Sequence, residues 1–304
     1  MSDTAEQHPS KPDNGHAEPS AASSAPLLPL PEEEEKKLQQ RFDSVTDRLR
    51  AAIAKSGRPG NSVALVAVSK WHSASMLAAL ARYWQKRNQS GALGSLAEHG
   101  VIFAENYMQE AMQKQDALTA LPDMANLATL AALDDESGKN FGISWHFSGP
   151  LQSKKAKYVV GRFAMLQTMS TLSLAQNLHK VLDQRSREIG SPQLQPVLVQ
   201  VNIGEEEQKS GVAPKETLTF IKTLQTFTSL SVQGLMCLPP YSENAEDSRQ
   251  YFVKLRQLRD SIEKETGLKL PHLSMGMSHD FEIAVEEGAT MVRVGTDIFG
   301  EREY

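Results

Sequence analysis

Beyond residue 31 the chain alternates between short apolar runs and longer stretches whose apolar residues recur every three or four positions. The first pattern suits strands buried on both faces, and the second suits helices that bury one stripe. Strands are predicted at 63–68, 101–104, 144–147, 163–167, 195–201, 231–235, 272–274 and 291–294. Helical spacing falls between them at 76–84, 172–188, 214–227 and 245–266. An opening helix, from 32 to about 54, starts after Pro31 with four glutamates suited to the positive end of a helix dipole. Its stripe is Leu38, Phe42, Val45, Leu49 and Ile53. Eight strands alternating with helices predict an α/β fold, a single (β/α)8 TIM barrel. A doubly wound open sheet would need a glycine-rich phosphate loop after the first strand, and none follows Val68.

Two segments, 82–100 and 118–142, exceed what a plain barrel needs and read as surface insertions. Residues 1–31, rich in Pro, Ser and Ala and without an aromatic, read as a disordered tail, leaving 32–304 for the barrel. The tail lacks the arginines of a transit peptide, and its one apolar cluster is broken by prolines, so a cytosolic location is expected. A net charge of −5 argues against a nucleic-acid-binding surface. One cysteine excludes an internal disulfide, and no apolar run is long enough to span a membrane.

In a TIM barrel the chemistry gathers where strands end at the C-terminal mouth. The first strand ends in Ser69-Lys70, the second in Glu105-Asn106 and the third in His146 with Ser148-Gly149 beyond. The seventh leads into SMGMSHD, and the eighth, carrying Arg293, into Gly295-Thr296. Loops after strands seven and eight commonly hold a phosphate, and the serines, glycines and threonine here suit one. A lysine facing a phosphate cup describes a phosphorylated aldehyde held as a Schiff base, for which pyridoxal 5′-phosphate (PLP) is the leading candidate. Arg293 would then sit against the pyridine nitrogen. Plainer readings stand beside these. Lys70 can be a solvated loop residue, and Arg293 the partner of Glu282 or Glu286 in a surface ion pair. His146 and Asn106 can satisfy buried backbone groups, and Lys154, Lys155 and Lys157 can line a solvated helix. Met236 and Cys237 read as packing.

The blocks AVSK, FAENYMQEA, WHFSGPLQSKK, VLVQVNIGEEEQKSG, GLMCLPP, LSMGMSHDFEIAVEEGATMVRVGT and IFGER occur in an order that resembles the pyridoxal phosphate homeostasis proteins. That family is similar to the N-terminal barrel of alanine racemase. The resemblance spans 63–302. It implies PLP carried on Lys70, Arg293 facing the ring nitrogen, Ser278, Gly295 and Thr296 on the phosphate, and Asn106 close to the cofactor. It also implies a monomer that binds, buffers and delivers PLP, with PLP-dependent apo-enzymes as recipients and no established turnover. The chain departs from the family at Ala104, usually glycine, at Ser148 and Lys154, usually isoleucine and asparagine, and at Trp71-His72.

A racemase-like enzyme using Lys70 with His146 or Tyr107 is the alternative, and a Schiff-base aldolase barrel is a third. The ordered blocks disfavour the aldolase. The racemase needs a second acid or base from a further domain, and a chain ending at Tyr304 is expected to lack one.

Overall fold

The structure, a computed structural model, describes residues 27–124, 142–206 and 208–301. Eight parallel strands close into a barrel in the order β1 to β8. They are β1 Ala64–Val68, β2 Val101–Glu105, β3 Ile143–Phe147, β4 Met165–Met169, β5 Gln195–Val201, β6 Leu230–Cys237, β7 His272–Ser274 and β8 Met291–Val294. Closure is made by β1 against β8, where Val66 is paired with Arg293. The main helices are α1 Glu32–Lys55, α2 Ala74–Gln89, α3 Met108–Thr119, α4 Leu172–Ile189, α5 Pro214–Leu224, α6 Arg249–Thr266, α7 Phe281–Glu286 and α8 Thr296–Phe299.

Because side chains alternate along a strand, each strand feeds two cores. Ala64, Val66, Ile102, Ala104, Met165, Leu198, Met236 and Met291 fill the barrel interior. The opposite phase, including Ala67, Phe103, Phe147, Val199 and Val292, joins the larger core between sheet and helices. Parallel strands point all their C-terminal ends at one rim, so the predicted polar strand ends do converge.

α1 precedes the barrel and buries the predicted stripe of Leu38, Phe42, Val45, Leu49 and Ile53. Its first turn carries Glu32 to Glu35, as the dipole favours. Residues 1–26 of the expected tail lie outside the described residues, while Leu30 packs against the core just before α1. No helix among the described residues is long and apolar enough to cross a membrane.

Three expectations change. Strand four begins two residues later, because Phe163 closes a turn onto Val159 and packs edge-on to Phe147. Strand six runs on to Cys237, its backbone still paired with β5 at Val201. Segment 82–100 is not a surface insertion. Trp84 ends the buried side of α2, and Leu93, Leu96 and Ala97 turn inward from the short 3₁₀ stretch Gly94–His99. The polar run between them masked that apolar spacing. Of the second expected insertion, Leu118 and Met124 are buried, and residues 125–141 lie outside the described residues.

Candidate functional site

Lys70 follows β1, whose Ala64, Val66 and Val68 face the barrel interior, and is half-buried at the rim. β1 ends at Val68, so Lys70 stands in the turn that leaves the strand at the C-terminal rim. Trp71, next in the chain, has φ +70° and packs its ring edge-on to Tyr107 at 4.9 Å. Gly295, at the end of β8, sits directly beside β1. A Cβ there would lie 3.1 Å from the Val68 carbonyl oxygen, tighter than most real contacts. Glycine thus lets the β8 loop approach the base of Lys70.

The loops after β7 and β8 meet where a phosphate cup was expected. The Asp297 backbone N–H points to Ser278 Oγ at 3.4 Å. The Asp280 carboxylate accepts from the Met277 N–H at 2.7 Å and folds the preceding turn. Thr296 is exposed at the lip and Gly295 half-buried. Behind these loops, Arg48 of α1 donates to Glu282 at 2.6 Å, to Asp297 at 2.5 Å and to the Ser278 carbonyl at 3.3 Å. Its guanidinium also covers the Phe281 ring.

Arg293 lies inside the barrel, 4% exposed. It donates from Nη1 to Ser274 Oγ at 2.7 Å and from Nη2 to the Cys237 carbonyl at 2.8 Å. It is no surface ion pair, since Glu282 is held by Arg48 and Glu286 by Lys55 and Arg249. Burial depresses its pKa from the ordinary guanidinium value. From Ser274 a polar chain crosses the interior: Ser274 Oγ donates to Gln167 Oε1 at 2.7 Å, and Gln167 Nε2 meets His146 Nδ1 at 2.8 Å. Burial, with His272 nearby, pushes the His146 pKa down to about 3, so its ring is neutral at ordinary pH. His146 is buried, and its partner is the Gln167 side chain where the plainer reading expected a backbone group. Cys237 is buried, and burial pushes its thiol up to about 12.

Asn106, half-buried at the end of β2, accepts at Oδ1 from Ser148 Oγ at 2.9 Å. Gly149 fits directly over its backbone, where a Cβ would come within 2.1 Å of the Asn106 carbonyl oxygen. The structure therefore places Lys70 and Asn106 at the rim, Arg293 below it, and Ser278, Gly295 and Thr296 in two touching loops.

The family model for the N-terminal domain of alanine racemase matches residues 96–303. A pyridoxal phosphate homeostasis protein of Aquifex aeolicus is 36% identical over 265 residues, covering 87% of this chain and 98% of that protein. The chain belongs to the pyridoxal phosphate homeostasis protein family. The Escherichia coli K12 member of this family is 34% identical over 86% of this chain and 94% of its own. A crystal structure of a Bifidobacterium adolescentis protein superposes with a TM-score of 0.70 at 27% identity, covering 90% of this chain and 99% of that one. PipY of Synechococcus elongatus with PLP bound superposes at 0.61 with 28% identity, over 86% of this chain and all of that one. Alanine racemase of Clostridium difficile shares the fold, with a TM-score of 0.57 at 12% identity over 88% of this chain and 58% of that one.

Within this family barrel, several residues at the site were not singled out from sequence. Arg48 is one, because its partners lie more than 200 positions away. Glu110 and Lys114 are others. Their four-residue spacing on α3 was a local signal for an ion pair, but nothing local showed that the pair is buried against the Lys70 loop. Lys154 and Lys157 are exposed on the 3₁₀ segment Ser153–Tyr158, in line with a solvated face.

Proposed function

We propose that this chain is a PLP-binding protein that holds the cofactor as a Schiff base on Lys70 and serves its storage and delivery without catalytic turnover. The observation that carries this reading is the place of Lys70, half-buried just beyond the end of β1, on the rim that the touching β7 and β8 loops share. The names of the curated relatives and the PLP-bound PipY structure support it. On this reading the chain is one barrel domain behind an N-terminal tail that ends before Leu30, acts as a monomer in the cytosol, and passes PLP to apo-enzymes that use it.

The residues present fit such a group. Gly295 makes a cradle that a side chain would fill, because its Cβ would press on the Val68 carbonyl. Ser278, Gly295 and Thr296 offer hydroxyls and backbone N–H groups to a phosphate. Asn106, kept in place by Ser148 and Gly149, would border the ring. Bound PLP would supply an aldehyde for the Lys70 amine and an electron-withdrawing pyridine ring. Arg293 would meet the ring nitrogen. A cation there opposes protonation of that nitrogen and so weakens the ring as an electron sink. That is a physical reason for storage without transamination.

Racemisation would need a second proton-transfer group at the mouth. His146 is buried and held neutral, so it does not serve as an acid at ordinary pH. Tyr107 packs its ring against Trp71. The test is borohydride reduction of the PLP-treated full chain followed by peptide mapping. Label on Lys70, lost in Lys70→Ala with the fold intact, is the expected result. Label on another lysine overturns the assignment, and rapid conversion of L-alanine to its D form overturns the absence of turnover.

A further inference from the structure

We propose that Lys114, Glu105 and Glu110 form a buried ion triad that positions Lys70 by gripping the peptide groups on both sides of it. The inference rests on the reading of Lys70 as the residue that bonds PLP. β2 supplies Glu105, and α3 supplies Glu110 and Lys114 one turn apart. Lys114 Nζ donates to Glu105 Oε1 at 2.7 Å, to Glu110 Oε1 at 2.6 Å and to the Ser69 carbonyl at 2.7 Å. Ser69 Oγ donates to the same Glu105 oxygen at 2.6 Å. On the other side of Lys70, the Trp71 N–H donates to Glu110 Oε1 at 2.6 Å. The residue before Lys70 and the residue after it are thus tied to one cluster of three charges.

The loop between these anchors has a shape it would not adopt unaided. Trp71 is at φ +70°, a region that residues with side chains rarely occupy. The His72 N–H closes the turn onto the Ser69 carbonyl at 3.1 Å. Held in this way, the turn fixes the backbone on both sides of Lys70 where it leaves β1, with the Ser69 carbonyl and the Trp71 N–H tied to the triad.

The triad is costly for a mere packing device. The side chains of Lys114, Glu105 and Glu110 are 6%, 0% and 9% exposed. The second carboxylate oxygens of Glu105 and Glu110 are buried with no hydrogen-bond partner among the described residues. Burial pushes the Glu105 carboxyl up to about 7, against the pull of Lys114. Apolar residues of similar size often replace such groups at no loss of stability. What they do not supply is a directional hold on a carbonyl and an N–H that flank one lysine.

The test compares two ligands on the full chain. PLP uses the lysine, whereas 4-deoxypyridoxine 5′-phosphate has the ring and phosphate but no aldehyde. Glu110→Ala is expected to weaken PLP by about tenfold or more while the deoxy analogue stays within about twofold, the size expected for losing a hydrogen bond to a charged group. Glu110→Gln is expected to recover most of that loss, because its amide oxygen still accepts the Trp71 N–H. Equal losses on both ligands, no loss on either, or a Gln variant as impaired as the Ala variant overturns the inference. Should Glu110→Ala fail to fold, amide exchange in the wild type decides. Slow exchange at Trp71 is expected, and exchange as fast as in an unstructured loop overturns the proposal. Lys70→Ala separates the two readings. If it discriminates PLP from the deoxy analogue as the wild type does, the lysine assignment itself is wrong.

Discussion

Arg48, on the helix that precedes the barrel, donates from Nη1 to Asp297 Oδ2 at 2.5 Å on the loop that follows the last strand. The same guanidinium neutralises Glu282 at 2.6 Å. Two carboxylates thus stand beside the loops proposed to take a phosphate, and one arginine offsets them. Arg48→Met leaves both acids uncompensated next to that anion. PLP affinity is expected to fall by about fivefold to fiftyfold, roughly 1–2 kcal/mol for a partly exposed charge cluster. Pyridoxal, which has no phosphate, is expected to bind as before. Equal losses for the two vitamers, read by titration of the visible absorbance, would count against the cup.

Gly149 sets the height of Asn106. Gly149→Ala puts a methyl group 2.1 Å from the Asn106 carbonyl, and backbone offers no flexible end to move aside. A loss of about 1–3 kcal/mol is expected from such overpacking, measured as a lower urea midpoint. A midpoint unchanged from wild type would show that the rim relaxes freely.

Arg293→Glu exchanges the cation proposed to face the ring nitrogen for an acid. The nitrogen is then expected to be protonated and the visible spectrum of the PLP complex to shift. The variant also strips donors from Ser274 Oγ and the Cys237 carbonyl, so about 3 kcal/mol of stability is expected to go with it. A folded variant with an unaltered spectrum would place Arg293 away from the nitrogen.

His146 couples folding to pH. Its pKa is about 3 in the folded chain and 6.5 as an ordinary histidine. Between those values the unfolded chain binds the extra proton, so stability is full above pH 6.5 and declines as pH falls towards 3. At pH 5 the loss from this group is about 2 kcal/mol. His146→Gln, which does not titrate, is expected to show a smaller drop in urea midpoint between pH 7 and pH 5. An identical drop in both proteins would show that His146 does not carry it.

Much of the barrel could be read along the chain because its strands are short, apolar and regularly spaced. β5, β7 and β8 have their predicted limits, each with a polar or turn residue at one border at least: Asn202 after β5, Pro271 before β7, and Thr290 and Gly295 around β8. Boundaries differ where an apolar run begins ahead of its strand, as at Phe163, or where the strand follows its apolar run further than expected, as at Met236 and Cys237. Segment 82–100 was misread because Trp84, Leu93 and Leu96 are separated by polar residues and converge only after the chain turns. At the site, Arg293 was legible as a strand residue but not as a buried one, since its partners Ser274 and Cys237 come from two other strands.

The phase of β1 was legible in the sequence, because alternation along a strand obliges every second residue, here Ala64, Val66 and Val68, to face the interior. The glycine and serine turns after β7 and β8 were settled in the same local way. Which charges meet was decided only in three dimensions. Lys114 reaches Ser69, and Arg48 reaches Asp297, through helix packing that brings together positions 45 and 249 residues apart. A periodic pattern specifies a direction from the backbone, while an ion pair also needs a distance, and distances between remote residues exist only once the barrel has closed.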